Sequence, residues 1–277
     1  MLSKSIKHEF RATARVMLPV FIALLSLSVV THLTTRFFLN SDTHWVLSAL
    51  GVCMVVLFFL GIAAVAFSVF ALTIVRFYRS FLSEQGYLTL SLPVSTNTHI
   101  FSRLLVAVVW YSLSAIAIVA AISVLALGVD GVSSIFGAIG DILRGLAQAW
   151  ASLTGGQRVM ALLLGFEMLV SVVASCAASC LLLYAAMAVG HSFNRYKKAL
   201  SVLFAFLFYH AVQILMFLGV FAVTMGDMNI ELDLDTPTAV LGAGNIFFAF
   251  IIVVELAIAA VFYFITHRFL TKKLNLE

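Results

Sequence analysis

Two carboxylates stand where carboxylates are costly. Glu167 lies in the run V-M-A-L-L-L-G-F-E-M-L-V and Glu255 in F-A-F-I-I-V-V-E-L-A-I-A-A. A charge at mid-bilayer costs about 2.5–3.5 kcal/mol on insertion scales, so each needs a cation, a cavity or a proton. Glu167 is nearer the end of its run, where it can snorkel or pair with Arg158. Glu255 is deeper and has no basic partner on its own helix. Two readings fit it: a functional or assembly role, or a protonated, hydrogen-bonded packing role.

Little else in the chain has the spacing of a reactive site. The sequence contains no G-x-x-x-x-G-K-[ST], so ATP is not bound through a P-loop of its own, and H-E-x-x-H, G-x-S-x-G and G-x-G-x-x-G are also missing. None of the seven histidines sits three or four residues from another. Cys53, Cys176 and Cys180 lie inside apolar runs, against a disulfide framework or a zinc site. Cys176 and Cys180 belong to the small-residue stretch 174–180, which lets helices approach closely in lipid. The acidic loop with Asp227, Glu231, Asp233 and Asp235 lacks the glycine and terminal glutamate of a calcium loop and reads as a solvated turn. No catalytic residue and no metal ligand are assigned, and the chain is not expected to be an enzyme.

The elements that carry these residues are helices for lipid. The 277 residues are 63% hydrophobic and 10% charged, and mean hydropathy is +1.14. A globular domain is about 45–50% apolar and about 25% charged. The expectation is an all-α membrane protein of six transmembrane helices. The spans are placed at 17–37, 45–75, 104–127, 159–189, 199–225 and 245–266, in one membrane domain covering 17–277. The first run follows a basic segment and lacks a small-residue cleavage site, so it reads as an uncleaved span.

Residues 1–16 read as an amphipathic interfacial helix. Leu2, Ile6, Phe10 and Thr13 share the face expected in the acyl boundary, and Lys4, Lys7, His8, Arg11 and Arg15 gather toward anionic headgroups. Glu9, at the edge of the apolar face, either pairs with a basic neighbour such as Arg11 or makes a docking contact. Pro19 is expected in the first turn of span one, where its missing N–H does least harm. Span two is longer than a bilayer requires, so it tilts, bends near Gly51 or Gly61, or projects beyond the membrane. Trp45 fits an aromatic belt.

In the connection after span three, Ile135, Ile139, Ile142, Leu146, Trp150 and Leu153 recur at helical spacing, predicting a surface amphipathic helix rather than a span. Thr236-Pro237 reads as a helix cap and first residue. Gly242, Gly244 and Asn245 then predict a break, with a short outer or re-entrant helix at 236–243. Orientation follows from the basic residues. With both termini in the cytoplasm, thirteen of the sixteen Lys and Arg lie inside and only Arg36, Arg144 and Arg158 outside. Basic residues that flank spans point to membrane lipids as partners, not to nucleic acid.

The stretch Arg76–Arg103 is the one long segment predicted on the cytoplasmic side between two spans. Glu84-Gln85-Gly86 can break the helix continuing from span two, Pro93 ends the short segment after that break, and Ser95 or Thr96 can cap span three. E-Q-G-Y-L-T-L-S-L-P-V-S, followed by H-I-F-S-R-L-L, resembles the first cytoplasmic loop of bacterial type-2 ABC exporter permeases, notably those common in Firmicutes. K-H-E-F-R-A-T-A-R-V-M-L-P is similar to their opening residues.

That resemblance implies a permease subunit in the bacterial plasma membrane, paired with a second permease subunit as homo- or heterodimer. It also implies a separate ABC ATPase that holds ATP and Mg, with no cofactor bound by this chain. The cargo would be hydrophobic or amphipathic: a peptide, lipid or drug. The segment 84–92 would be a coupling helix, with Glu84, Gly86, Tyr87 and Leu88 as transmission contacts. Residues 1–16, including Lys4, Lys7, Glu9, Phe10 and Arg11, would be the connecting helix. The alternatives are a proton-coupled secondary transporter with Glu255 as carrier, or a non-transporting membrane scaffold or sensor.

Overall fold

Long apolar runs with few breakers fold as long helices, since a backbone in lipid must satisfy its own hydrogen bonds. The computed structural model describes residues 2–38, 45–83, 86, 95–125, 132–193, 195–226 and 236–272. Among these, seven α-helices follow one another: α1 Leu2–Phe38, α2 Trp45–Phe77, α3 Thr96–Leu125, α4 Val132–Ser152, α5 Gly155–Gly190, α6 Lys197–Gly226 and α7 Pro237–Lys272. All but α4 contain stretches long and apolar enough to cross a membrane.

The chain divides into two compact units. One takes in Ser3–Thr73 and Val109–Ala149; the other takes in Met1–Leu2, Ile74–Val108 and Trp150–Glu277. In the first, Leu24, Phe58, Val65 and Ala121 form a buried core edged by Phe21, Ile62 and Ile118. In the second, α5 packs against α6 and α7. Gln157 and Asn245 tie α5 to α7, through Thr238 Oγ1 at 2.8 Å and the Met160 carbonyl at 3.3 Å. These contacts follow both chains in the same direction, so α5 and α7 run parallel.

Two expectations about element boundaries change. Residues 1–16 and span one are not separate: α1 is continuous from Leu2, which puts Pro19 inside the helix. There it forfeits the bond to the Arg15 carbonyl. The helix persists because tertiary contacts hold the turns before it. Thr13 is buried and its Oγ1 accepts the Trp110 indole N–H at 2.8 Å. Phe10 stacks on the same ring at 4.9 Å and 11°. The Phe10–Thr13 face therefore meets protein, where the sequence pattern alone suggested lipid.

The break expected at 236–244 also does not form. Thr236 does cap α7, accepting the Ala239 N–H at 3.3 Å, and Pro237 is its first residue, but the helix then runs on through Gly242 and Gly244. Each helical glycine costs about 1 kcal/mol. Gly244 offsets this by admitting the Leu164 side chain of α5, whose Cδ1 would lie 3.2 Å from an added Cβ.

Span two stays helical through Gly51 and Gly61. It runs on from α2 into a π-helical turn, Tyr78–Leu82.

The helix predicted after span three forms as α4, where Ile142, Leu146 and Trp150 remain exposed. Asp141 and Arg144 pair on its surface at 3.1 Å, an exposed contact contributing about 0–1 kcal/mol.

Candidate functional site

Two regions of the second unit have the geometry to act. The first is the junction where α2 ends and α3 begins. The π-helical turn re-aims the aromatic residues at the end of α2, a device often found at functional positions. Phe77 stacks on Tyr184 of α5 at 4.1 Å and 10°, and also meets Phe81 at 5.0 Å. All three rings are fully buried. Phe81 then receives α3: the His99 ring stands edge-on at 6.5 Å, and the Arg103 guanidinium lies 4.4 Å from the Phe81 centroid. Arg103 Nη1 also donates to the His99 carbonyl at 3.1 Å. At the head of α3, the Ser95 hydroxyl accepts the Thr98 N–H at 3.4 Å, fulfilling the predicted cap.

Of the predicted coupling residues, Gly86 is described. Its N–H donates to the Ser83 carbonyl at 2.7 Å. A Cβ on it would lie 2.6 Å from the Phe81 carbonyl oxygen, so only glycine lets the chain close this tightly on the π-helical turn. Glu84, Tyr87 and Leu88 lie outside the described residues.

Beside the junction the α5–α6 turn is equally close. A Cβ at Gly190 would strike the Ser201 backbone. His191 is buried, and its Nδ1–H is shared between the Met187 carbonyl at 3.0 Å and Ser201 Oγ at 3.1 Å. Burial pushes its pKa below the ordinary histidine value, against the Met187 hydrogen bond, and Lys197 and Lys198 add to the lowering. Tyr78 stands edge-on to the imidazole at 5.4 Å. The turn also holds Tyr196 at φ 58°, a left-handed conformation unusual for tyrosine.

The second region is within the spans, around Glu255. Glu255 is nine-tenths buried and lies beside Ser175. Its Oε2 has no hydrogen-bond partner. The residue lines a cavity of about 280 Å³ together with Ser175, Ser179, Tyr209 and Gln213. Gln213 Nε2 donates to the Tyr209 hydroxyl at 3.0 Å. Glu167 is half-buried and stands apart from this group, its Oε2 likewise without a hydrogen-bond partner. Arg158 does not turn to it, but donates to the Trp150 and Ala151 carbonyls and lies over the Trp150 ring.

At the N-terminus Lys7 and Arg11 are exposed and Glu9 is half-buried. Lys4 lies in α1, but its side chain is outside the described set.

Sequence reading found Glu255 and missed its companions. Ser175 and Ser179, like Tyr209 and Gln213, are pairs four residues apart in apolar helices, and each pair makes one polar stripe. That spacing was the available signal. Compared with protein-family models, curated proteins and solved structures, the chain matches none.

Proposed function

We propose that this multi-pass membrane protein is the permease subunit of a bacterial type-2 ABC exporter. In this reading it works with a second permease subunit and a separate ATPase that carries ATP and Mg, and it moves a hydrophobic or amphipathic substrate. The observation that carries the reading is the anchoring of the segment resembling a coupling loop. Before it, Phe81 is locked against Phe77; after it, Arg103 lies on that same Phe81 ring. A push on the segment between them reaches α2, α3 and, through the Phe77–Tyr184 stack, α5. Coupling of this kind needs packed elements that move as units. The asymmetry of Lys and Arg supports a cytoplasmic position for this end of the molecule.

The test is co-purification with an ABC ATPase encoded beside the gene. Glu84→Ala and Tyr87→Ala are expected to abolish both binding and stimulation of the ATPase, while Gly86→Ala weakens stimulation. Normal binding and stimulation in the first two variants would refute the coupling assignment. A proton-coupled secondary transporter is the second reading, favoured by the unpartnered oxygen of Glu255. It requires transport that survives ATP depletion and collapses with the proton gradient.

A further inference from the structure

The Glu255 cavity adjoins a second, apolar one. Between α6 and α7 lies a groove of about 700 Å³ lined by residues such as Leu215, Leu218, Phe250 and Val254. Val212 and Ile258 belong to both walls. One continuous surface therefore offers a carboxylate, hydroxyls and an amide at one end and hydrocarbon at the other. Ligand sites commonly enclose about 300–1,000 Å³, with a few convergent polar groups in a mostly apolar lining.

We infer that this composite site binds an amphiphile that carries a primary ammonium group, with the ammonium against Glu255 and the hydrocarbon tail in the α6–α7 groove. Glu255 Oε2 is the acceptor left without a donor, and an ammonium carries three N–H donors and no acceptor. Ser175 and Ser179 stand open at the cavity wall and can accept two more bonds. Among the described residues no Lys or Arg lines the cavity to neutralise Glu255, so an incoming cation meets an uncompensated carboxylate. The tail argues for an amphiphile over a metal ion or a small amine, since the groove beyond Val212 and Ile258 offers almost no polar surface. The ammonium can belong to a phosphatidylethanolamine headgroup or to a free amphipathic amine. The inference names the cargo class of the proposed permease and rests on that reading for transport, whereas binding belongs to this chain alone.

The experiment needs no ATPase, so its failure is separable from failure of the permease reading. Ser179→Cys is introduced into a chain whose three native cysteines are replaced, and the purified protein is placed in phosphatidylcholine nanodiscs. The new thiol is modified with aminoethyl or sulfonatoethyl methanethiosulfonate. The cationic reagent is expected to be favoured about tenfold over the ratio for a free thiol, as one carboxylate several ångströms away in a partly shielded medium implies. Glu255→Gln should return the ratio to the free-thiol value and Glu255→Asp should keep most of it.

With Glu255 intact, dodecylammonium should protect the thiol and dodecanol should not, a comparison independent of how the Glu255 variants fold. Slower modification in discs containing phosphatidylethanolamine assigns the ammonium to the lipid headgroup. Protection by dodecylammonium without that slowing assigns it to a free amine. A ratio unchanged by Glu255→Gln, equal protection by dodecanol, or a thiol closed to both reagents overturns the inference.

Discussion

The junction at the end of α2 and the cavity around Glu255 share one unit but are built on opposite principles. At the junction Tyr184 stacks on Phe77, Phe77 meets Phe81 at a tilt, Arg103 lies over Phe81, and burial is complete for the three aromatic side chains. In the cavity a carboxylate oxygen has no hydrogen-bond partner, and Tyr209, Gln213 and Ser179 stand open. Close packing transmits displacement because packed interiors are stiff. Unmet hydrogen-bonding capacity does the reverse: it holds a place for a group from outside the chain. One region is suited to passing on a movement, the other to receiving a ligand.

The sharpest way to break this contrast is paired truncation. Phe77→Ala removes a fully buried ring and should cost about 3–5 kcal/mol, whereas Gln213→Ala, at an exposed position, should stay within about 0.5 kcal/mol. Thermal unfolding in detergent reads both, and equal losses would erase the distinction. Arg103→Lys keeps the charge but loses the flat guanidinium on Phe81, for an expected loss of about 0.5–2 kcal/mol. It should also lower ATPase stimulation more than ATPase binding. Replacing Tyr196 by glycine should stabilise slightly, since a left-handed conformation costs about 1–2 kcal/mol in an L-residue and glycine's extra chain entropy returns about 0.5–1 kcal/mol of that.

The smallest effect concerns pH. His191 has a folded-state pKa below its ordinary value of 6.5, so the unfolded chain takes up the proton first. Stability should be unaffected by this group above that pH and should fall as pH drops through it. His191→Asn should flatten that decline in a melting-temperature profile.

Much of the fold was legible because lipid imposes simple rules. Run length and hydropathy placed all six apolar helices, and a 3.6-residue period placed α4. The failures came where tertiary contact overrode a local signal. Pro19 looked like a helix start, but Trp110 secures the turns before it. Gly242 and Gly244 looked like a break, but packing of Leu164 against Gly244 favours the helix. At the candidate sites, Glu255 was visible because a charge in an apolar run stands out. Tyr184, Ser175 and Gln213 did not stand out, because their roles depend on which helices become neighbours.

One side chain sets an order of events in time. Gln157 Oε1 accepts the Thr154 N–H at 2.8 Å and closes the cap of α5, while Nε2 donates to Thr238 Oγ1, 81 residues further along the chain. The cap can form as soon as α5 emerges during synthesis. At about 5–20 residues per second, the bond to α7 must wait roughly 4–16 s longer. During that interval α5 and α6 enter the bilayer with their α7-facing sides uncovered, and Ser175 and Ser179 lack the helix that brings Glu255. The binding cavity is thus the last part of this unit to exist, assembled when the final helix arrives alongside its parallel neighbour.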